Sequence, residues 1–185
     1  MRDDIERILI PGDMIARRVR EIAEAVTRDH SPPAISGEAE VTIVPILTGA
    51  LVFAADLIRA IPLPIKINLM TVSSYPGQSV KSQGATVLGQ QLKDVAGRHV
   101  VLVDDILDSG QTLATVVPVV KDLGAASVAT CVLLKKKLPN PPAIQADYSG
   151  FDIPDEFVVG YGLDYDNVYR NLPDICVLKP SVFGG

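Results

Sequence analysis

The segment VVLVDDILDSGQTLATV, residues 100–116, drives an apolar run into Asp104 and Asp105, adds a third carboxylate at Asp108, and passes through small residues into a helical pattern. Carboxylates this close repel, and the repulsion raises the pKa of at least one of them when the site is empty. Adjacent strand residues point to opposite faces, so Asp104 and Asp105 can splay around a ligand. Asp108, Ser109, Gly110, Gln111 and Thr112 then enter a helix, whose first N–H groups form an anion site. Gly110 permits a tight turn and close approach, and Ser109 and Thr112 add hydroxyl donors. The whole suits a phosphate monoester beside acidic groups that take hydroxyls or a metal ion. A plain helix N-cap at Asp108 or Ser109, with a solvated strand end, accounts for single residues and not for the string.

Other chemistry is sparser. No G-x-x-x-x-G-K-[ST] and no G-x-G-x-x-G is present, which excludes a P-loop and leaves a dinucleotide fold unsupported. LLKKKLP (133–139) carries three lysines, a pattern most often just solvated. In IPDEFVVGYGLDYDNVYRNLP (153–173) Asp164 lies between aromatic residues, and Arg170 is the bidentate type suited to phosphate oxygens. Phe157 alone would read as a core aromatic. His30 and His99 lack metal-ligand spacing and read as surface or strand-edge residues. Cys131 and Cys176 sit in apolar runs and read as small buried hydrophobes.

The elements that must position these residues follow from periodicity. Ile15, Val19, Ile22 and Val26 make residues 11–29 an amphipathic helix, with Pro11 suited to its first turn. Residues 29–38 are a loop. Residues 41–47, 65–73, 99–103 and 127–134 read as strands, mostly apolar throughout, as in a parallel sheet buried on both faces. Residues 50–60 and 111–123 read as helices, and the alternation points to βαβ units. Ligands of such sheets bind beyond the C-terminal strand ends, where Asp104 and Asp105 fall if the strand stops at Val103. Residues 75–86 are a long polar loop of the kind that forms lids. After residue 138 the pattern becomes a small strand-and-loop cap.

The chain has 185 residues, 48 % of them hydrophobic, which suits one globular domain. Its formal charge of −5 argues against a broad nucleic-acid surface but not against anionic small ligands. No apolar stretch is long enough to span a bilayer, and the N-terminus lacks the apolar core of a signal peptide. A cytoplasmic location is expected.

VVLVDDILDSGQT resembles the phosphoribosyl-diphosphate (PRPP) motif of the type I phosphoribosyltransferases: an apolar strand, two acidic residues, then D-[ST]-G-x-T. The resemblance implies a central, mostly parallel sheet flanked by helices, with a small cap from the terminal segments. The core would cover about 36–137, and the cap about 138–185 with the N-terminal segment. It implies that Asp104 and Asp105 hold the ribose hydroxyls, directly or through Mg²⁺, and that Asp108, Ser109, Gly110, Gln111 and Thr112 hold the 5′-phosphate. Many relatives have Glu where this chain has Asp104.

Four further segments are similar to hypoxanthine-guanine phosphoribosyltransferases. ILTGALVFAADLIR (46–59) resembles the loop whose backbone holds pyrophosphate. That assigns Leu47, Thr48 and Gly49 to pyrophosphate and implies a non-proline cis peptide at Leu47–Thr48. Thr48 replaces the family's usual Lys or Arg, which puts that side chain's role in doubt but not the backbone's. SSY resembles the start of the mobile lid, at Ser74 and Tyr75. LLKKKLP places Lys136 on the purine O6, where a fixed donor selects 6-oxopurines over adenine. The 153–173 segment implies that Phe157 stacks on the base, Val158 meets its pyrimidine edge, Asp164 ligates Mg²⁺ and Arg170 contacts pyrophosphate. The implied activity is transfer of 5-phosphoribosyl from PRPP to a 6-oxopurine, with Asp108 as acid/base, in a homodimer or homotetramer without nucleic-acid or membrane partners. The competing readings are a xanthine- or pyrimidine-preferring enzyme and a PRPP-sensing regulator of the same fold.

Overall fold

A computed structural model describes residues 2–31, 41–73, 86–88, 92 and 95–183. The central sheet is built on β2 (Val41–Leu47), β6 (His99–Leu107), β7 (Ser127–Lys136) and β8 (Tyr148–Ile153), all parallel in that spatial order. Beyond β2 lie β3 (Ile65–Ile67) and β4 (Met70–Ser73), both parallel to it, and then antiparallel β5 (Thr86–Leu88). The single strand expected over 65–73 is therefore interrupted. Asn68 donates its N–H to the Ile43 carbonyl at 3.0 Å, and β4 resumes further along β2.

Side-chain alternation along β6 divides the core. Val101 and Val103 face α1 (Gly12–His30) and α2 (Leu51–Ala60), packing with Ile15, Val19, Phe53 and Leu57. Val100 and Leu102 face α3 (Gln111–Asp122), packing with Leu113, Val116 and Val120. Each fully buried aliphatic of this kind contributes about 1.5–3 kcal/mol. The amphipathic stripe of α1 is as read from its spacing, with Ile15, Val19, Ile22, Ala23 and Val26 buried. Pro11 precedes the helix as its N-cap residue, and the Gly12 N–H is taken by the distant Asp174 Oδ1 at 2.7 Å.

The region after residue 138 divides. β8 extends the central sheet, against the expectation that everything beyond 138 is cap. β9 (Val158–Val159) and β10 (Ile175–Leu178) instead join β1 (Ile5–Ile10) in an antiparallel sheet ordered β1-β10-β9. Its own small core holds Val159, Tyr169, Cys176 and Leu178. The sequence signal for β8 was weak because only Ile153 of its six residues is fully buried. Cys131 and Cys176 are buried free thiols, as read. A four-residue helix, α4 (Pro180–Phe183), follows β10.

β6 does not stop at Val103. Its pairing with β2 ends at Pro45↔Val103, but its pairing with β7 continues through Asp104↔Val132 to Leu107↔Lys135. The acidic residues thus lie where β6 has parted from β2 but is still paired with β7.

Candidate active site

Asp104 and Asp105 keep the alternation of β6, so their side chains leave on opposite faces. The Asp104 carboxylate turns back to accept the Asp105 N–H at 3.1 Å, and Asp105 Oδ1 accepts the Ile106 N–H at 2.7 Å. Asp104 is 7 % exposed. Burial, then the charge of Asp105, pushes its carboxyl up to about 8. Burial also raises Asp105, opposed by the Ile106 N–H and the nearby Arg170 guanidinium. The pair therefore holds on to a proton near neutral pH, as the crowding in the sequence implies.

The loop after β2 meets Asp105. Leu47–Thr48 is a non-proline cis peptide. At Gly49 an added Cβ would lie 1.7 Å from Asp105 Oδ2, so only glycine lets the loop backbone meet the carboxylate. Gly162, with φ +106°, stacks onto the same loop: a Cβ there would lie 2.3 Å from the Gly49 carbonyl oxygen. Arg170 seals this layer, donating to the Gly162 carbonyl at 2.7 Å and pairing with Asp164 Oδ1 at 2.7 Å. Asn167, at φ +60°, completes the arrangement. Its N–H binds Asp164 Oδ2 at 2.8 Å, and its carboxamide oxygen accepts from Arg170 at 3.2 Å.

Two hollows open on either side of the β6 end. A cleft of about 180 Å³ is lined by Asp104, Asp105, Asp108, Ser109, Gly110 and Thr112, together with Ile106, Leu107 and Leu113. Gly110 sits at φ +75° and α3 begins at Gln111, as the turn chemistry requires. Gln111 is exposed and outside that lining; its N–H reaches Ser109 Oγ at 3.4 Å. A second cavity, of about 220 Å³, is lined by Asp105, Ile106, Asp108, Lys136, Glu156, Phe157, Val158, Leu163 and Asp164. Lys136, the last residue of β7, reaches Asp108 Oδ2 at 3.1 Å and Asp155 Oδ1 at 3.0 Å. Phe157 is 41 % exposed and braced by Tyr165 edge-on, with ring centroids 5.7 Å apart. Val158 is buried at the start of β9.

Asp108 and Lys136 meet across sequence, and Asp105, Gly49, Arg170 and Asp164 form one contiguous group. Leu47 and Thr48 are half-buried and exposed, at the loop mouth. Ser74 and Tyr75 lie outside the described residues. Sequence reasoning missed Asp155, Glu156, Gly162 and Asn167. Their signal was proximity to assigned residues in one segment, and nothing local marks an Asn or Gly as a brace. Among the described residues, no three His, Cys, Asp or Glu side chains are gathered to hold a metal ion unaided. The carboxylates offer oxygen donors only, which suits a hard divalent cation that keeps waters and takes further oxygens from a ligand.

The strand-end acidic pair, the cleft of about 180 Å³ at the start of α3 and the adjoining cavity of about 220 Å³ bring together the residues of the phosphoribosyltransferase-like motifs. A Phosphoribosyl transferase domain model matches residues 11–166. The chain is 39 % identical over 183 residues to a hypoxanthine-guanine phosphoribosyltransferase of Streptococcus pneumoniae, covering 99 % of this chain and 98 % of that one. A hypoxanthine phosphoribosyltransferase structure from Staphylococcus aureus superposes with a TM-score of 0.90 at 33 % identity, covering 100 % of this chain and 97 % of that one. The Bifunctional protein TilS/HprT of Listeria innocua is 38 % identical over 183 residues, covering 99 % of this chain and 27 % of that longer protein. The chain belongs to the hypoxanthine-guanine phosphoribosyltransferase family. Enzymes of this family use a divalent metal ion with PRPP.

Proposed function

We infer that this protein transfers the 5-phosphoribosyl group of PRPP to N9 of hypoxanthine and guanine, yielding IMP or GMP and pyrophosphate in purine salvage. The observation that carries this reading is the cavity in which Lys136, Asp108, Phe157 and Val158 converge, next to the cleft of Asp104 to Thr112. A 6-oxopurine in that cavity presents O6 to the Lys136 ammonium, a donor that adenine's own amino group would oppose. Phe157 stacks on the base, and the Val158 backbone meets its pyrimidine edge.

The 5′-phosphate takes the N–H groups of the Ser109–Thr112 turn and the two hydroxyls. Asp104 and Asp105 take the ribose hydroxyls. Pyrophosphate lies against the Leu47–Gly49 backbone and Arg170. In the reaction the C1′–O bond breaks with both electrons leaving on pyrophosphate, and the N9–C1′ bond forms. The N7 proton passes to Asp108 as N9 becomes the nucleophile. Arg170 stabilises the charge that gathers on the leaving group. Asp164, with Asp104 and Asp105, would hold Mg²⁺, which when bound would supply further neutralisation of that charge. Among the described residues no helix is long and apolar enough to cross a membrane; a cytoplasmic homodimer or homotetramer fits the reading, checked by light scattering.

The test is kcat/KM with PRPP and Mg²⁺ for hypoxanthine, guanine, xanthine, adenine and uracil. The two named 6-oxopurines are expected to lead adenine and uracil by about 10⁴-fold, the scale on which an unpaired buried donor rejects a substrate. A lead for xanthine or uracil would replace the substrate assignment. PRPP binding without turnover on any base would favour a sensing protein.

A further inference from the structure

Lys136 is gripped from two sides. Its side chain is 12 % exposed, and its ammonium lies 3.0 Å from Asp155 and 3.1 Å from Asp108. An ammonium has three N–H donors. Two carboxylates occupy two of them, which leaves one for a ligand in the shared cavity. The two carboxylates differ in where they stand. Asp108 lines both the base-sized cavity and the phosphate cleft. Asp155 lines neither; it approaches from the 154–157 segment, where the Glu156 N–H bonds the Pro154 carbonyl at 2.9 Å.

This difference decides their roles. Asp108 must turn to the purine N7 and accept a proton there, so its hold on the ammonium weakens as the reaction proceeds. Asp155 touches no reacting atom, and its charge persists throughout. We propose that Asp155 is a positioning residue that holds the Lys136 ammonium on the purine O6 while Asp108 is engaged at N7, and thereby sets the preference for 6-oxo over 6-amino bases. The proposal rests on the phosphoribosyl-transfer reading above. Electrostatics agree with it: burial works against the Lys136 charge, and the hydrogen bonds it donates to Asp155 and then Asp108 outweigh it, so the ammonium is held above its ordinary range. The other charged groups facing this position are Glu156, already tied to Arg7, and Asp105 and Asp164 across the cavity.

The test compares Asp155→Asn and Asp155→Glu with the unaltered protein. Asp152→Asn serves as a control, because it removes the partner of the adjacent Lys135, 3.1 Å away, outside the cavity. Asp155→Asn is expected to raise KM for hypoxanthine about five- to tenfold, the scale of one ordinary net hydrogen bond. KM for PRPP and kcat should stay within about threefold of the unaltered values. The hypoxanthine-over-adenine ratio should fall by a similar factor. The alkaline limb of kcat/KM for the base should move to lower pH, because the ammonium loses a neighbouring anion. Asp155→Glu should restore most of the loss, and Asp152→Asn should change nothing. An unchanged hypoxanthine KM in Asp155→Asn overturns the proposal, as does an equal loss in both substrates' KM and in kcat. If the unaltered protein forms no nucleotide from any 6-oxopurine, it is the functional reading that fails; an active protein indifferent to Asp155→Asn removes the positioning role alone.

Discussion

Gly49→Ala is the substitution whose consequence the geometry fixes most tightly. The new Cβ would lie 1.7 Å from Asp105 Oδ2 and 2.6 Å from its Cγ. Since real Cβ contacts essentially never fall under 3.0 Å, the carboxylate or the loop must move by roughly 1.3 Å. Neither is loose. The carboxylate is held by the Ile106 N–H at 2.7 Å, and the loop is capped from above by Gly162. Breaking the Ile106 bond costs about 1.5–3 kcal/mol for a charged acceptor. That is a fall of about 3–12 °C in Tm for a chain of this size. A displacement of about 1 Å at a reacting site costs about 10²-fold in rate, so kcat/KM for PRPP should drop by at least that factor. Gly97→Ala is the control: Gly97 has φ +71° but no heavy atom within 4 Å of the added carbon. It should cost about 1 kcal/mol of stability and no activity. Kinetics with PRPP varied, alongside thermal unfolding, decide the matter. Gly49→Ala with kcat/KM within about threefold of the unaltered protein would refute the claim that this contact sets the site.

Three other expectations follow from the same structure. Asp108→Asn should lower kcat by about 10²-fold or more while PRPP affinity changes little; equal losses in pre-steady-state binding and turnover would remove the acid/base role. Asn167→Gly keeps the left-handed backbone but deletes the carboxamide bonded to Arg170, whereas Asn167→Ala also strains φ +60°. Both should lower kcat/KM for PRPP about tenfold if the carboxamide positions Arg170, and only the alanine variant should also lose Tm. Half-buried His30 is held below 6.5 by burial and by His99, with Asp29 opposing. The unfolded chain then takes up the proton before the folded one does, so stability falls as pH drops below about 6.5 and is unaffected above it. His30→Gln, measured by unfolding across that range, should flatten the fall; an unchanged slope would remove His30 as its source.

Much of this fold was legible because its signals are local. The α1 stripe, the doubly buried strands and the Asp-rich turn each depend on residues within one element. What escaped depends on distant partners. The β6 strand continues through Asp104 to Leu107 because β7 remains alongside it, and no periodicity within 104–107 announces that. The 65–73 strand is interrupted at residues 68–69 although Asn68 still bonds β2, and β8 joins the central sheet although most of its residues are only partly buried. The residues of the site were legible as types: four carboxylates, a lysine and an arginine. Their pairing was not. Lys136 meets Asp108 across a 28-residue gap and Asp155 across 19, and only the folded sheet brings the three together.

The crowding of Asp104 and Asp105 acquires a structural reason from these long-range contacts. Their strand is no longer paired with β2 beyond Val103, and the loop at Gly49 meets the Asp105 carboxylate there. A larger residue at position 49 would push the loop away from the Asp105 carboxylate. Arg170 stands where it can lower the charge cost of Asp105 while its other nitrogens hold Gly162 and Asp164. The repulsion is thus offset in part by the same guanidinium that, in the proposed reaction, meets the leaving group. Binding of pyrophosphate would draw Arg170 toward phosphate oxygens and return charge stress to the pair, which a divalent cation on the ribose side relieves. In the proposed reaction Arg170 and the cation would both bear on Asp105, and an Arg170→Lys variant, lacking the planar fork, should weaken pyrophosphate binding when it is titrated by calorimetry; unchanged affinity would remove the pyrophosphate role of Arg170.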